Sequence, residues 1–391
     1  MSDGIYEVAV IGGGVNGLAA AAALVARGCE RLVVLERFEE GHDRGSSHGA
    51  ARITRSVYAH ADYVRLMQRV HAESWPALEA RAKRTLVHRN PGCFFGPEDG
   101  LFGGYAAAVD EALEGGLERG AGGVITRLSR AEGARRFPMF RFAPGEGVLD
   151  DHTSGLVAAA DTMDALRGIC REAGVELRYG ARARAVHPGS EPLTVELDGG
   201  EVRAEKVIVA AGAWAGALIP SLASRLTVTR QAVCYLGLEN PEAGRLGRYP
   251  VWVELGRSDD DVWYGLPEFG REGIKAAHHR VVAAGEGDDP DEDYRPEPAR
   301  VDRLVARMRA RLTLPVTRLT ATERCLYTVG PGEDFVIDLH PEDPRIVVAA
   351  GFAGHGFKFG PLTGRVLAEL ALDGVSSVPE FEAARERFRM G

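Results

Sequence analysis

Residues 6–11, YEVAVI, form an unbroken apolar run, the pattern of a strand buried on both faces. Three consecutive glycines turn the chain, and Leu18 to Arg27 is an alanine-rich stretch that predicts a helix closed by Gly28 at its C-terminus. RLVVLE, 31–36, is the next apolar run, so the N-terminus reads as a βαβ unit. Apolar positions at helical spacing predict a helix over about 63–83, and 91–150 reads as loop-rich. VELDGGEVRAE predicts a hairpin turning at Gly199–Gly200, and KVIVAAGAW (206–214) a strand ending in glycine. Residues 225–270 hold several β-rich runs. The charged stretch 285–303 reads as a solvated loop leading into a helix, VDRLVARMRARL. RIVVAAGF (345–352) predicts another buried strand, and a last helix starts near 361. No internal repeat appears.

The glycines of the first turn, Gly12, Gly14 and Gly17, have the spacing G-x-G-x-x-G, and Glu36 closes the second strand. That spacing suits a dinucleotide. The first glycine makes a tight turn, the second lets the backbone approach a pyrophosphate, and the third brings helix and strand together. The helix N-terminus offers N–H groups and a positive dipole end, and Glu36 stands where a ribose hydroxyl would donate to it. Either FAD or NAD fits this turn. A compact NAD domain would continue βαβαβ directly after residue 36, whereas here the next strand of this kind returns only at 206, which favours FAD. The expected fold is therefore α/β, with a Rossmann-type FAD-binding domain made of 1–90, 148–222 and 322–391. A β-rich substrate domain made of 91–147 and 223–321 is inserted into it.

Composition narrows the class. The chain has 391 residues and a formal net charge of −9, with acidic and basic residues interspersed, which argues against a nucleic-acid surface. Five widely spaced cysteines read as reduced thiols with no disulfide framework, and no His/Cys spacing suits a metal. The apolar run 8–26 is preceded by Asp3 and Glu7, not by the positive charge of a signal peptide, and its three glycines do not suit a membrane span. A cytoplasmic protein without membrane contact is expected. Only four of the 47 basic residues are lysines: Lys83, Lys206, Lys275 and Lys358. In so arginine-biased a chain, a lysine inside an apolar, glycine-rich segment is informative.

GSSHGAARITR (45–55) brings His48, Arg52 and Arg55 together on a flexible stretch. With VAVIGGGVNGLAAA and Glu36, VAAGAW (209–214), WYGLPEFGREGIKAAHH (263–279), CLYTVGPGEDFVIDLHP (325–341) and GFAGHGFKFGP (351–361), this motif resembles the monomeric sarcosine oxidase and N-methyltryptophan oxidase family. These are flavoenzymes related in fold to D-amino-acid oxidase, and the resemblance covers essentially the whole chain. It implies that Cys325 bonds to the 8α carbon of FAD, while Cys29, Cys93, Cys170 and Cys234 read as buried thiols. It places His48 and Arg52 against one flavin face and Lys275 on the other, where its charge activates O₂. Arg55 and Lys358 would hold a substrate carboxylate, and Tyr264, His279, Tyr327 and Gly354 would line the substrate cavity. Arg37, Ser46, Gly212, Trp214, Gly354, Gly356, Phe357 and Lys358 are implied as further cofactor contacts. The family carries an acid and a threonine where this chain has Ala50 and Ala51, so hydrogen bonding is lost there.

The expectation is a monomeric oxidase with covalent FAD that acts on small N-methyl amino acids, sarcosine foremost. Its products are formaldehyde, the primary amino acid and H₂O₂. The alternatives are a bulkier N-methyl amino acid or a cyclic imino acid such as proline or pipecolate as substrate, or a non-catalytic or NAD-binding Rossmann protein.

Overall fold

The computed structural model describes residues 4–114, 125–280, 282 and 286–391. Ile5–Ile11 sits in the middle of the first sheet, parallel to Leu32–Leu35 on one side and to Gly200–Val209 on the other. Glu176–Arg178 extends the sheet beyond Leu32–Leu35, and Asp343–Ala350 pairs in parallel with Gly200–Val209. Parallel strands covered on both faces read as continuous apolar runs. Val8, Ala9, Val10, Val33 and Val207 are accordingly fully buried. The predicted hairpin at Gly199–Gly200 joins Leu193–Leu197 to Gly200–Val209 in antiparallel register. The helices Val15–Ala26 and Gly360–Asp373 both contribute to the core on one face of this sheet.

The second sheet has eight strands. Val316–Val329 lies at its edge, followed by Thr227–Leu238, Ile274–His278, Val262–Leu266, Val251–Leu255, Gly92–Pro97, Glu146–Asp151 and Ile125–Leu128. The helix Pro298–Arg311 buries Val301, Leu304 and Met308 in the core this sheet shares with Trp252 and Trp263. A small third sheet sets Gly155–Ala158 between Ala51–Thr54 and Val87–Arg89. The α/β fold is as expected: a first sheet whose central strands run parallel and which adds antiparallel pairs around them, beside a second, β-rich sheet.

Two local expectations are corrected. The segment 91–150 is not mainly loop: it holds the helix Leu101–Glu114 and the strands Gly92–Pro97, Ile125–Leu128 and Glu146–Asp151, with 115–124 outside the described residues. Gly92–Pro97 is buried on both faces and so shows no alternation, and Gly103–Gly104 weaken the helical signal of the next element. The helix expected over 63–83 is helical, but a wide π turn at Val70–Ser74 divides it. Cys325 lies inside the strand Val316–Val329. The described part of 285–303 is, as expected, a largely exposed loop leading into the helix Pro298–Arg311, and its acids pair with Arg37, Arg230 and Arg324.

Candidate active site

A cavity of about 1000 Å³ runs from the glycine turn to Lys358. Of the residues expected to touch cofactor or substrate, all line it except Gly17, which acts through packing. A Cβ on Gly17 would sit 1.9 Å from the Gly12 carbonyl oxygen, and one on Gly12 (φ +110°) would sit 2.3 Å from the Ala210 carbonyl oxygen. No side chain fits at either place. The turn is therefore pressed between the helix and the end of Gly200–Val209.

At the nucleotide end, the helix Val15–Ala26 begins with no acidic residue in its first turn, and the Ser47 hydroxyl accepts from its first N–H, that of Val15, at 3.0 Å. Glu36 accepts hydrogen bonds from the N–H groups of Gly13 (2.8 Å) and Phe38 (2.9 Å). Burial opposes its ionisation, but His42 and these two N–H groups outweigh that and hold its carboxyl below the usual range. Arg37 lies over Trp214 and pairs with Asp291 at 2.7 Å.

In the middle, Ser46 donates to the Leu326 carbonyl and Arg52 donates to the Ser46 carbonyl (2.9 Å) while lying over Phe357. The buried Lys275 donates to the Ala51 carbonyl (2.9 Å). Burial, and then the Arg52 charge, lower Lys275 to about 7. His48 is lowered to about 4, again by burial first and Arg52 second. Burial pushes the Cys325 thiol up, with Arg52 and Lys275 working against it.

At the far end the two expected cations meet on one aromatic ring. The Arg55 guanidinium lies 4.1 Å from the centre of Tyr58, and Lys358 Nζ lies 5.6 Å from that centre while donating to the Tyr58 hydroxyl at 3.1 Å. Lys358 is 3% exposed. Burial first, then Arg55 and Arg52, draw its pKa well below that of an ordinary lysine. Among the described residues neither cation has an acidic partner within salt-bridge distance. Beside them the Tyr264 and Tyr327 hydroxyls share a hydrogen bond of 3.0 Å. Tyr327 lies directly against Gly354 (φ +75°), where a Cβ would come within 2.3 Å of the ring. His279 Nε2 faces Glu333 Oε2 at 3.0 Å.

Sequence reasoning missed Tyr58, Tyr105, Glu333 and Tyr294. Tyr58 follows Arg55 by three residues, and an aromatic so near an arginine was the available signal. Glu333 has φ +58°, unusual for a residue other than glycine, and nothing in the sequence announces it.

The cavity residues fit a bound flavin dinucleotide. The glycine turn admits no side chain, and among the described residues four buried polar atoms of cavity-lining residues have no protein partner: Asn16 Oδ1, His48 Nε2, Arg324 Nε and His355 Nδ1. Buried polar atoms are rarely left unpaired, so these point to a polar ligand.

Comparison with known proteins agrees. Residues 7–370 match the family of FAD dependent oxidoreductases, and the chain belongs to that family. In fold and class it is a flavoprotein amine oxidase. The peroxisomal sarcosine oxidase of Homo sapiens is 32% identical over 94% of this chain and 92% of its own length. The monomeric sarcosine oxidase of Bacillus sp. (strain B-0618) is 29% identical over 94% and 93%. A solved structure of NikD, described as an unusual amino acid oxidase essential for nikkomycin biosynthesis, superposes with a TM-score of 0.80 over 98% of this chain and 97% of that one, at 26% identity. The resemblance drawn from the motifs is borne out.

Proposed function

We propose that the protein oxidises small N-methyl amino acids, sarcosine foremost, with O₂ as acceptor. The net change is secondary amine, O₂ and water to primary amino acid, formaldehyde and H₂O₂. Bound FAD, attached through Cys325, supplies the two-electron acceptor. Gly12, Gly14, Gly356 and the helix N-terminus hold the phosphates, Glu36 and Arg37 the ribose end, and Ser46, His48, Arg52, Gly212, Trp214 and Phe357 the rest.

The observation that carries the reading is the pair Arg55 and Lys358. Two like charges, one of them buried, converge on Tyr58 without an acidic partner among the described residues. Such an arrangement is costly unless an anion completes it. A substrate carboxylate does so, and arginine takes both its oxygens. The hydrogen-bonded Tyr264–Tyr327 pair and Gly354 then bound the N-methyl group. His279, backed by Glu333, takes or returns the amine proton, since only the neutral amine can be oxidised. Lys275 sets a positive charge where negative charge develops on O₂, which lowers that barrier electrostatically. The division into cofactor and substrate domains, a monomeric state and a cytoplasmic location belong to the same reading. Among the described residues no helix is long and apolar enough to cross a membrane.

A screen of N-methyl and cyclic amino acids with peroxide readout tests this. Sarcosine is expected to lead. Faster turnover of proline or pipecolate would replace it with a cyclic imino acid.

A further inference from the structure

The strand Val316–Val329, which carries Cys325, is the edge strand of the second sheet. An edge strand leaves alternate N–H and C=O groups without a strand partner. Cys325 itself is in register with Gln231 of Thr227–Leu238, and one side chain from outside the sheet also reaches its main chain. The Tyr294 hydroxyl accepts from the Cys325 N–H at 3.0 Å and donates to the Cys325 carbonyl at 2.6 Å.

Tyr294 ends a short acidic strap. Asp288 accepts from the Arg230 N–H at 2.7 Å and pairs with Arg280 at 2.8 Å, and Glu292 pairs with Arg230 at 2.6 Å. Asp291 reaches to the nucleotide end, where it holds Arg37 at 2.7 Å and the Trp214 indole N–H at 2.6 Å. Arg230 also lies over the Tyr294 ring, 5.0 Å from its centre. The strap is thus anchored on both large sheets, and its last member grips the main chain of the attachment cysteine.

We propose that Tyr294 is a positioning residue for flavin attachment: its hydroxyl fixes the Cys325 main chain so that Sγ meets the 8α carbon. This rests on the reading of Cys325 as the attachment point. In the step itself an S–H bond and one methyl C–H bond break and an S–C bond forms. Two electrons and two protons leave, and O₂, the acceptor of the proposed activity, takes them as H₂O₂. Misplacement by about 1 Å slows a step between fixed partners by up to about 100-fold. The ladder partner Gln231 sets the register of Cys325, and the Tyr294 hydroxyl adds a side-chain hold on the same N–H and carbonyl.

The test is Tyr294→Phe, which keeps the ring beneath Arg230 and removes only the hydroxyl. Full-length apoprotein is mixed with saturating FAD, and acid-precipitated flavin and intact mass are followed with time. Saturation removes any difference in FAD affinity from the comparison. The variant should bind FAD but form the linkage about 10- to 100-fold more slowly. Glu292→Gln, which loosens the strap and leaves the hydroxyl, should link at a rate close to that of the unmodified protein. Equal rates for Tyr294→Phe and the unmodified protein overturn the role of Tyr294. Complete release of flavin from the unmodified protein in acid overturns the linkage itself, a separately visible result.

Discussion

Replacing Lys358 with methionine removes one of the two charges at the carboxylate end while keeping nearly the same length and an apolar stem. Lys358 is 3% exposed, donates at 3.1 Å to Tyr58 and at 3.2 Å to the His355 carbonyl, and has Trp75 donating to its own carbonyl at 3.0 Å. The backbone placement should survive, since that last bond does not involve the side chain. A charge-assisted contact to a carboxylate contributes roughly 1.5–3 kcal/mol, so sarcosine binding should weaken about 10- to 100-fold. The pH dependence follows with a definite sign. Burial and Arg55 lower the Lys358 pKa in the free protein, and a bound carboxylate raises it again. Binding of a carboxylate inhibitor such as pyrrole-2-carboxylate should then take up a proton and weaken as pH rises above the lowered pKa. Lys358→Met should bind it weakly and lose that slope. The assay is titration of flavin absorbance with the inhibitor across pH, beside anaerobic reduction by sarcosine and by dimethylamine. Equal losses for sarcosine and for dimethylamine, which has no carboxylate, would refute the reasoning by making Lys358 a structural residue.

Cys325→Ser should bind FAD noncovalently, and acid should then release flavin that the unmodified protein retains; unchanged retention would move the linkage elsewhere. Lys275→Met should slow flavin reoxidation by about 100-fold or more while sparing anaerobic reduction, and equal damage to both half-reactions would end the O₂ assignment. Because Lys275 is lowered to about 7 from 10.5, the unfolded chain holds more protons between those values. Its burial therefore costs stability fully below about 7, and stability recovers as pH rises toward 10.5. Thermal unfolding against pH should show that recovery in the unmodified protein and less of it in Lys275→Met.

The dinucleotide turn was legible because steric need leaves few choices: with Gly12 at φ +110° and Gly17 packed on its carbonyl, only glycine fits. Lys275 and Lys358 were legible because lysine is rare in this chain and both stand in apolar runs. Tyr58 was not, because its role is to lie between two cations brought from residues 55 and 358, a juxtaposition no local spacing encodes. The ion pairs of the strap were not legible for a related reason. Its acids look like a solvated charge run until Arg37, Arg230 and Arg324 arrive from three other elements.

The most direct test of the proposed activity is anaerobic mixing of the purified protein with sarcosine or with dimethylamine, following flavin absorbance. The account predicts rapid bleaching by sarcosine, little or none by dimethylamine, and peroxide with formaldehyde once air is admitted. Bleaching by both amines at similar rates, or by neither, would contradict it.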